Sequence, residues 1–83
     1  MRKKVIAGNW KMNKTAKETT AFVEAIRDEI PTSEKVEAII CAPFPYLASL
    51  VEQTKDTEIK VAAQNMHFED SGAFTGEVSP VML

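Results

Sequence analysis

Cysteine occurs once in the 83 residues, at Cys41, so no internal disulfide and no cysteine-based zinc site can form. Inside an apolar run such a cysteine is most simply a small core hydrophobe, and a reduced, cytosolic setting fits. A strong charge of either sign is also missing. Ten Lys and Arg against twelve Asp and Glu leave a net charge of −2, without the basic face that nucleic-acid binders carry. No block of like charge is long enough to serve as an interaction tail. Arg2, Lys3 and Lys4 precede an apolar run that stops at Gly8 and Asn9, short of the roughly 7–15 residues of a signal-peptide core. No stretch approaches the roughly 20 apolar residues of a membrane span. Repeats and low-complexity linkers are absent. What remains is one small globular domain that has neither nucleic acid nor a membrane as its expected partner.

The composition, 45% hydrophobic and 27% charged, is that of an ordinary globular protein. A chain this short buries only about 60–65% of its unfolded surface, so its stability is marginal without help. Three apolar runs alternate with two helical patterns. Lys4 to Gly8, Val36 to Ala42 and Ile59 to Gln64 have the character of strands, the second β-branched and nearly continuous. Thr15 with Glu18 three residues on has the form of a capping box. Phe22, Val23, Ile26 and Ile30 then recur at helical spacing, and Pro31 ends the element. Pro45 suits a first helical position, with Leu47, Leu50 and Val51 expected on one face of a second helix.

Strand, helix, strand, helix, strand at these separations predicts parallel pairing through right-handed crossovers. Nearly continuous apolar strands belong to sheets covered on both faces. With strands in sequential order, both helices fall on one face and leave the other bare. Either the order is shuffled, as in doubly wound folds, or more chain is needed to close the sheet on itself. Ser79-Pro80 has the form of a helix start, followed only by Val81, Met82 and Leu83. That pattern predicts a chain cut at the start of its third helix. The competing expectation is a small non-catalytic βαβαβ binding module, shuffled in strand order and complete at Leu83. Such a module calls for a Gly-x-Gly-x-x-Gly loop after the first strand, which the sequence lacks.

Gly8-Asn9-Trp10-Lys11-Met12-Asn13 follows the first strand. Strand alternation predicts Asn9 and Lys11 on one side and Trp10 on the other. Ligands of parallel α/β folds bind at the carboxyl ends of strands. An amide donor beside an ammonium can hold an oxyanion or phosphate there. On spacing alone the simpler reading is a solvated lysine and an asparagine that starts a turn. His67, the only histidine, with Glu69 and Asp70 nearby, lacks the spacing of familiar metal sites and is expected to be a solvated loop residue. The irregular stretch from Asn65 to Glu77 is long for a compact domain. Its Phe68 and Phe74 either fold back on their own domain or form a partner surface.

Val5-Ile6-Ala7-Gly8-Asn9-Trp10-Lys11-Met12-Asn13 resembles the opening strand and first loop of the triosephosphate isomerase family. Cys41-Ala42-Pro43, Ala63-Gln64-Asn65 and Gly72-Ala73-Phe74-Thr75-Gly76-Glu77-Val78-Ser79-Pro80 are similar to the same family, in order and at its spacing. The resemblance implies the first β-α-β-α-β portion of a single (β/α)₈ barrel domain, with residues 1–83 its N-terminal part and the bare face its interior. It implies glycolytic and gluconeogenic interconversion of dihydroxyacetone phosphate and glyceraldehyde 3-phosphate through an enediolate, without cofactor or metal. Asn9 and Lys11 match the family's substrate contacts, Lys11 being the electrostatic catalyst. The family, a familiar case of pKa tuning, uses a glutamate base and a neutral histidine electrophile; both match segments outside this chain, so these 83 residues are expected to be inactive alone. The resemblance further implies a cytoplasmic homodimer contacting through Phe74, Thr75, Gly76 and Glu77, with Thr75 near the partner's Asn9 and Lys11.

Overall fold

Lys4–Asn9 (β1), Val36–Ala42 (β2) and Lys60–Ala63 (β3) form one parallel sheet in the order β1-β2-β3. The computed structural model describes residues 4–29 and 36–83. The middle strand has the expected bounds, while β1 runs one residue farther and β3 is shorter at both ends. The order is sequential, as the opening of a (β/α)₈ barrel requires, and not the shuffled order of a doubly wound module.

Helix α1 spans Ala16–Ile26 and opens on the capping box: Glu18 N–H donates to Thr15 Oγ1 at 3.2 Å, and Thr15 N–H to Glu18 Oε1 at 3.0 Å. It ends earlier than its apolar periodicity suggests. Glu29 N–H donates to the Ile26 carbonyl at 2.9 Å, taking the acceptor that an α-helix would offer to residue 30. Ile30 and Pro31, the expected end, lie outside the described residues, as do Arg2 and Lys3. Pro45 does not begin an α-helix. It sits in a single 3₁₀ turn, Phe44–Tyr46, which leads into helix α2, Leu47–Thr54.

Val23 of α1, Leu50 of α2, Ile40 and Ala42 of β2, and Ile59 form the core, each no more than 6% exposed. Ile40 and Ala42 share one face of β2, so both helices cover that face, as right-handed crossovers in sequential order demand. The helices also touch directly. Arg27 Nη2 lies 2.6 Å from both carboxylate oxygens of Asp56, and Gln53 Nε2 donates to Thr20 Oγ1 at 3.3 Å. Val51 departs from expectation: it is 57% exposed. About 100° of helical rotation separates it from Leu50, so it turns from the core to a groove lined also by Val61, Ala63, Met82 and Leu83.

The opposite face, carrying Val5, Ala7, Ile39, Cys41 and Ala62, has no covering layer among the described residues, and at the edge strand β1 both faces are open, Val5 at 55% and Ile6 at 63% exposed. The outer edges of β1 and β3 likewise pair with no described strand. Ser79 behaves as the expected cap: its Oγ accepts from Met82 N–H and its carbonyl from Leu83 N–H, both at 3.3 Å. With one apolar face and two edges open, the isolated 83-residue chain should show no cooperative transition in scanning calorimetry. A sharp endotherm would contradict this.

Candidate functional site

The carboxyl ends of the three strands meet at Asn9, Cys41 and Gln64. β1 stops at Asn9, and the chain then turns. Asn9 Oδ1 accepts the Lys11 N–H at 2.9 Å, an Asx turn. A backbone N–H can only donate, so this bond identifies the oxygen of the amide. Asn9 Nδ2 is left without an acceptor among the described residues. Lys11 has φ 57°, the left-handed region, at a cost of about 1–2 kcal/mol for a residue with a Cβ. Asn9 and Lys11 are therefore neighbours through this turn and not through strand alternation, because β1 ends two residues before Lys11. Trp10 does go the other way: it packs against the core and meets Phe22 edge-on, ring centroids 5.3 Å apart.

Gln64, immediately after β3, gathers these pieces. Its Nε2 donates to the Lys11 carbonyl at 2.9 Å, the Cys41 carbonyl at 3.0 Å and Asn9 Oδ1 at 3.3 Å. Two amide hydrogens serve three acceptors, so one is shared, and the longest bond is the weakest. The Cys41 carbonyl also accepts from Trp10 N–H at 3.0 Å. Hydrogen bonds of about 0.5–1.5 kcal/mol each are enough to offset the strain at Lys11. Nothing in the sequence near Gln64 signals this role, because its partners, two backbone carbonyls and one side-chain oxygen, are distant along the chain.

Two lysines emerge from this loop with different surroundings. Lys14, also left-handed at φ 77°, places Nζ 5.1 Å from the Phe22 ring centroid and 5.8 Å from that of Trp10. Tyr46 Oη–H donates to its carbonyl at 3.0 Å. Among the described residues the Lys11 ammonium has no hydrogen bond, ion pair or aromatic partner. Lys11 and Asn9 are both exposed, and an ammonium and an amide donor are groups of the kind that bind anions.

The stretch after Gln64 folds back on itself. His67 N–H donates to the Val78 carbonyl at 2.8 Å, and Glu77 N–H to Phe74 O at 3.0 Å. Gly76, at φ 91°, allows the turn Phe74–Glu77, whose third position requires positive φ. Gly72, at φ 143°, lies under the Phe74 ring, where an added Cβ would come within 2.6 Å of it. His67 is not the solvated residue expected. Its ring lies between Phe68 and Phe74, centroids 4.6 and 4.4 Å away, and Nε2 is shielded from solvent without a hydrogen-bond partner. The two phenylalanines cover this histidine yet remain 80% and 46% exposed. Thr75 and Glu77 are exposed as well. Among the described residues no hydrogen bond joins Asn9 or Lys11 to the Phe74–Glu77 turn, and no group of three His, Cys, Asp or Glu side chains could hold a metal ion.

The family model for triosephosphate isomerase matches residues 4–83. The chain belongs to the triosephosphate isomerase family. The match takes in the Asn9–Lys11 turn, Gln64 and the Phe74–Glu77 turn together. Asn9→Asp separates the two functions of Asn9, since the carboxylate keeps the acceptor for Lys11 N–H and loses the outward donor. A charge-assisted hydrogen bond contributes about 1.5–3 kcal/mol, so on the reading of this turn as an anion site inorganic phosphate should bind the intact variant about tenfold more weakly, or worse. Titration calorimetry giving an unchanged affinity would exclude a role for Asn9 in anion binding.

Proposed function

We propose that the protein carrying this chain is a triosephosphate isomerase, interconverting dihydroxyacetone phosphate and D-glyceraldehyde 3-phosphate by proton transfer through an enediolate. One observation carries the reading: within a family match over residues 4–83, Asn9 and the free Lys11 ammonium share a single fixed turn at the carboxyl ends of the strands. Lys11 supplies positive charge to the substrate phosphate and to the oxygen on which charge develops in the transition state. Asn9 donates from Nδ2 to a substrate oxygen. The charge is useful because it is in place before the reaction and needs no reorganisation during it. The proton itself moves between groups outside these 83 residues, so the segment alone has no base and turns nothing over. No cofactor or metal takes part.

The same reading makes residues 1–83 the N-terminal part of one barrel domain, whose later strands cover the open face and pair with the outer edge of β3. It makes the whole protein a cytoplasmic homodimer that contacts through Phe74, Thr75, Gly76 and Glu77. The exposed phenylalanines beside that turn support this, since apolar surface projecting on a closed loop is characteristic of a partner contact. Thr75 would then approach Asn9 and Lys11 of the partner subunit and complete the site from across the interface.

In a coupled assay with chelator present, the intact protein should isomerise triose phosphate, and Lys11→Met should lower kcat/KM by about 10²- to 10³-fold, the scale of losing one preorganised electrostatic group. An active Lys11→Met enzyme would refute the role of the ammonium. Phe74→Asp should convert the dimer to monomer in sedimentation velocity at micromolar concentration. A variant that still sediments as a dimer would exclude this turn from the interface.

A further inference from the structure

We propose that Gln64 is a positioning residue for the anion site: its side-chain amide holds the Lys11 backbone left-handed and so fixes where the ammonium is presented. The proposal rests on the reading of Lys11 as a substrate contact. Three facts support it. Lys11 is not a glycine, yet its φ is 57°, so something outside the residue must hold it there. The bond from Gln64 to the Lys11 carbonyl, at 2.9 Å, is the shortest of the three that Nε2 makes. The other two go to Asn9 Oδ1, which itself receives the Lys11 N–H, and to Cys41 O, which also receives the Trp10 N–H. One amide thus secures the turn from the carbonyl side of Lys11, from the side chain that grips its N–H, and against the end of β2.

The chemistry is specific to a primary amide of this length. All three partners are acceptors, so a donor is required, and a carboxylate of the same shape would repel each of them. Asparagine is shorter by one methylene and does not span the same gap. Gln64 is exposed, so water competes for its hydrogens. The clamp persists because its acceptors converge on one nitrogen, and not because burial enforces it.

The test uses the intact protein with Gln64→Met, which keeps side-chain volume and adds no charge while removing the donor, and with Gln64→Ala. Gln53→Ala serves as control, since Gln53 bridges α1 and α2 away from this end of the sheet. Both Gln64 variants should raise the KM for triose phosphate and the inhibition constant of inorganic phosphate together, by about 10- to 100-fold, as expected when a positioned group loosens by an ångström or so. The control should leave both constants unchanged. Wild-type constants for Gln64→Met would overturn the proposal, because side-chain bulk alone would then suffice. A crystal structure of Gln64→Met gives a reading independent of any assay: Lys11 leaving the left-handed region supports the clamp, and Lys11 retained there overturns it. Should the unmodified protein fail to isomerise triose phosphate, the functional reading falls, and the φ of Lys11 still decides the clamp.

Discussion

Parallel pairing is the constraint from which the rest of the structure follows. Two parallel neighbours cannot be joined by a hairpin, so each connection must cross back over the sheet as a helix. With β1, β2 and β3 in sequential order and both crossovers right-handed, α1 and α2 have only one face to occupy. Their meeting there builds the core of Val23, Ile40, Ala42, Leu50 and Ile59. The same rule leaves Val5, Ala7, Ile39, Cys41 and Ala62 uncovered, and it delivers three strand ends to one place. The site and the open face have a single origin.

At those ends, the polar groups released where pairing stops are used to shape a turn. The Cys41 carbonyl has run out of strand partners and accepts from Trp10 and Gln64 instead. Asn9 ends β1 and turns its side-chain oxygen on the Lys11 N–H. Buried or not, backbone groups seek partners. Here those hydrogen bonds tie the end of the sheet to the loop that follows, and the ammonium of Lys11 has no partner among the described residues while Lys14 settles against Trp10 and Phe22.

Much of this was legible in the sequence, and the parts that were not share a cause. Short-range signals survived intact: the Thr15–Glu18 capping box, the Ser79 cap and the β-branched run Val36–Ala42 all depend on residues a few positions apart. Most of the departures concern what packs against a residue or bends its backbone, which neighbouring sequence does not record. Lysine gives no hint of a left-handed backbone, so alternation extends in the sequence past the true end of β1. Gln64 reaches carbonyls 53 and 23 residues away, which no periodicity records. His67 looked like a solvated loop residue because nothing local shows that the chain returns Phe74 to its ring. Val51 fitted the apolar stripe of α2, yet the core reaches only as far round the helix as Leu50.

The lysines that begin the outer strands have a consequence of a different kind. Lys4 opens β1 and Lys60 opens β3, both exposed, whereas the central strand opens on Val36. An unpaired strand edge is a template on which any other extended chain can add, and a charged side chain there makes such addition unfavourable. Like charges also repel when two copies align by the same edge. On both open edges a lysine therefore stands where a strand added in register would have to begin, and that makes fibrous self-association along them less favourable.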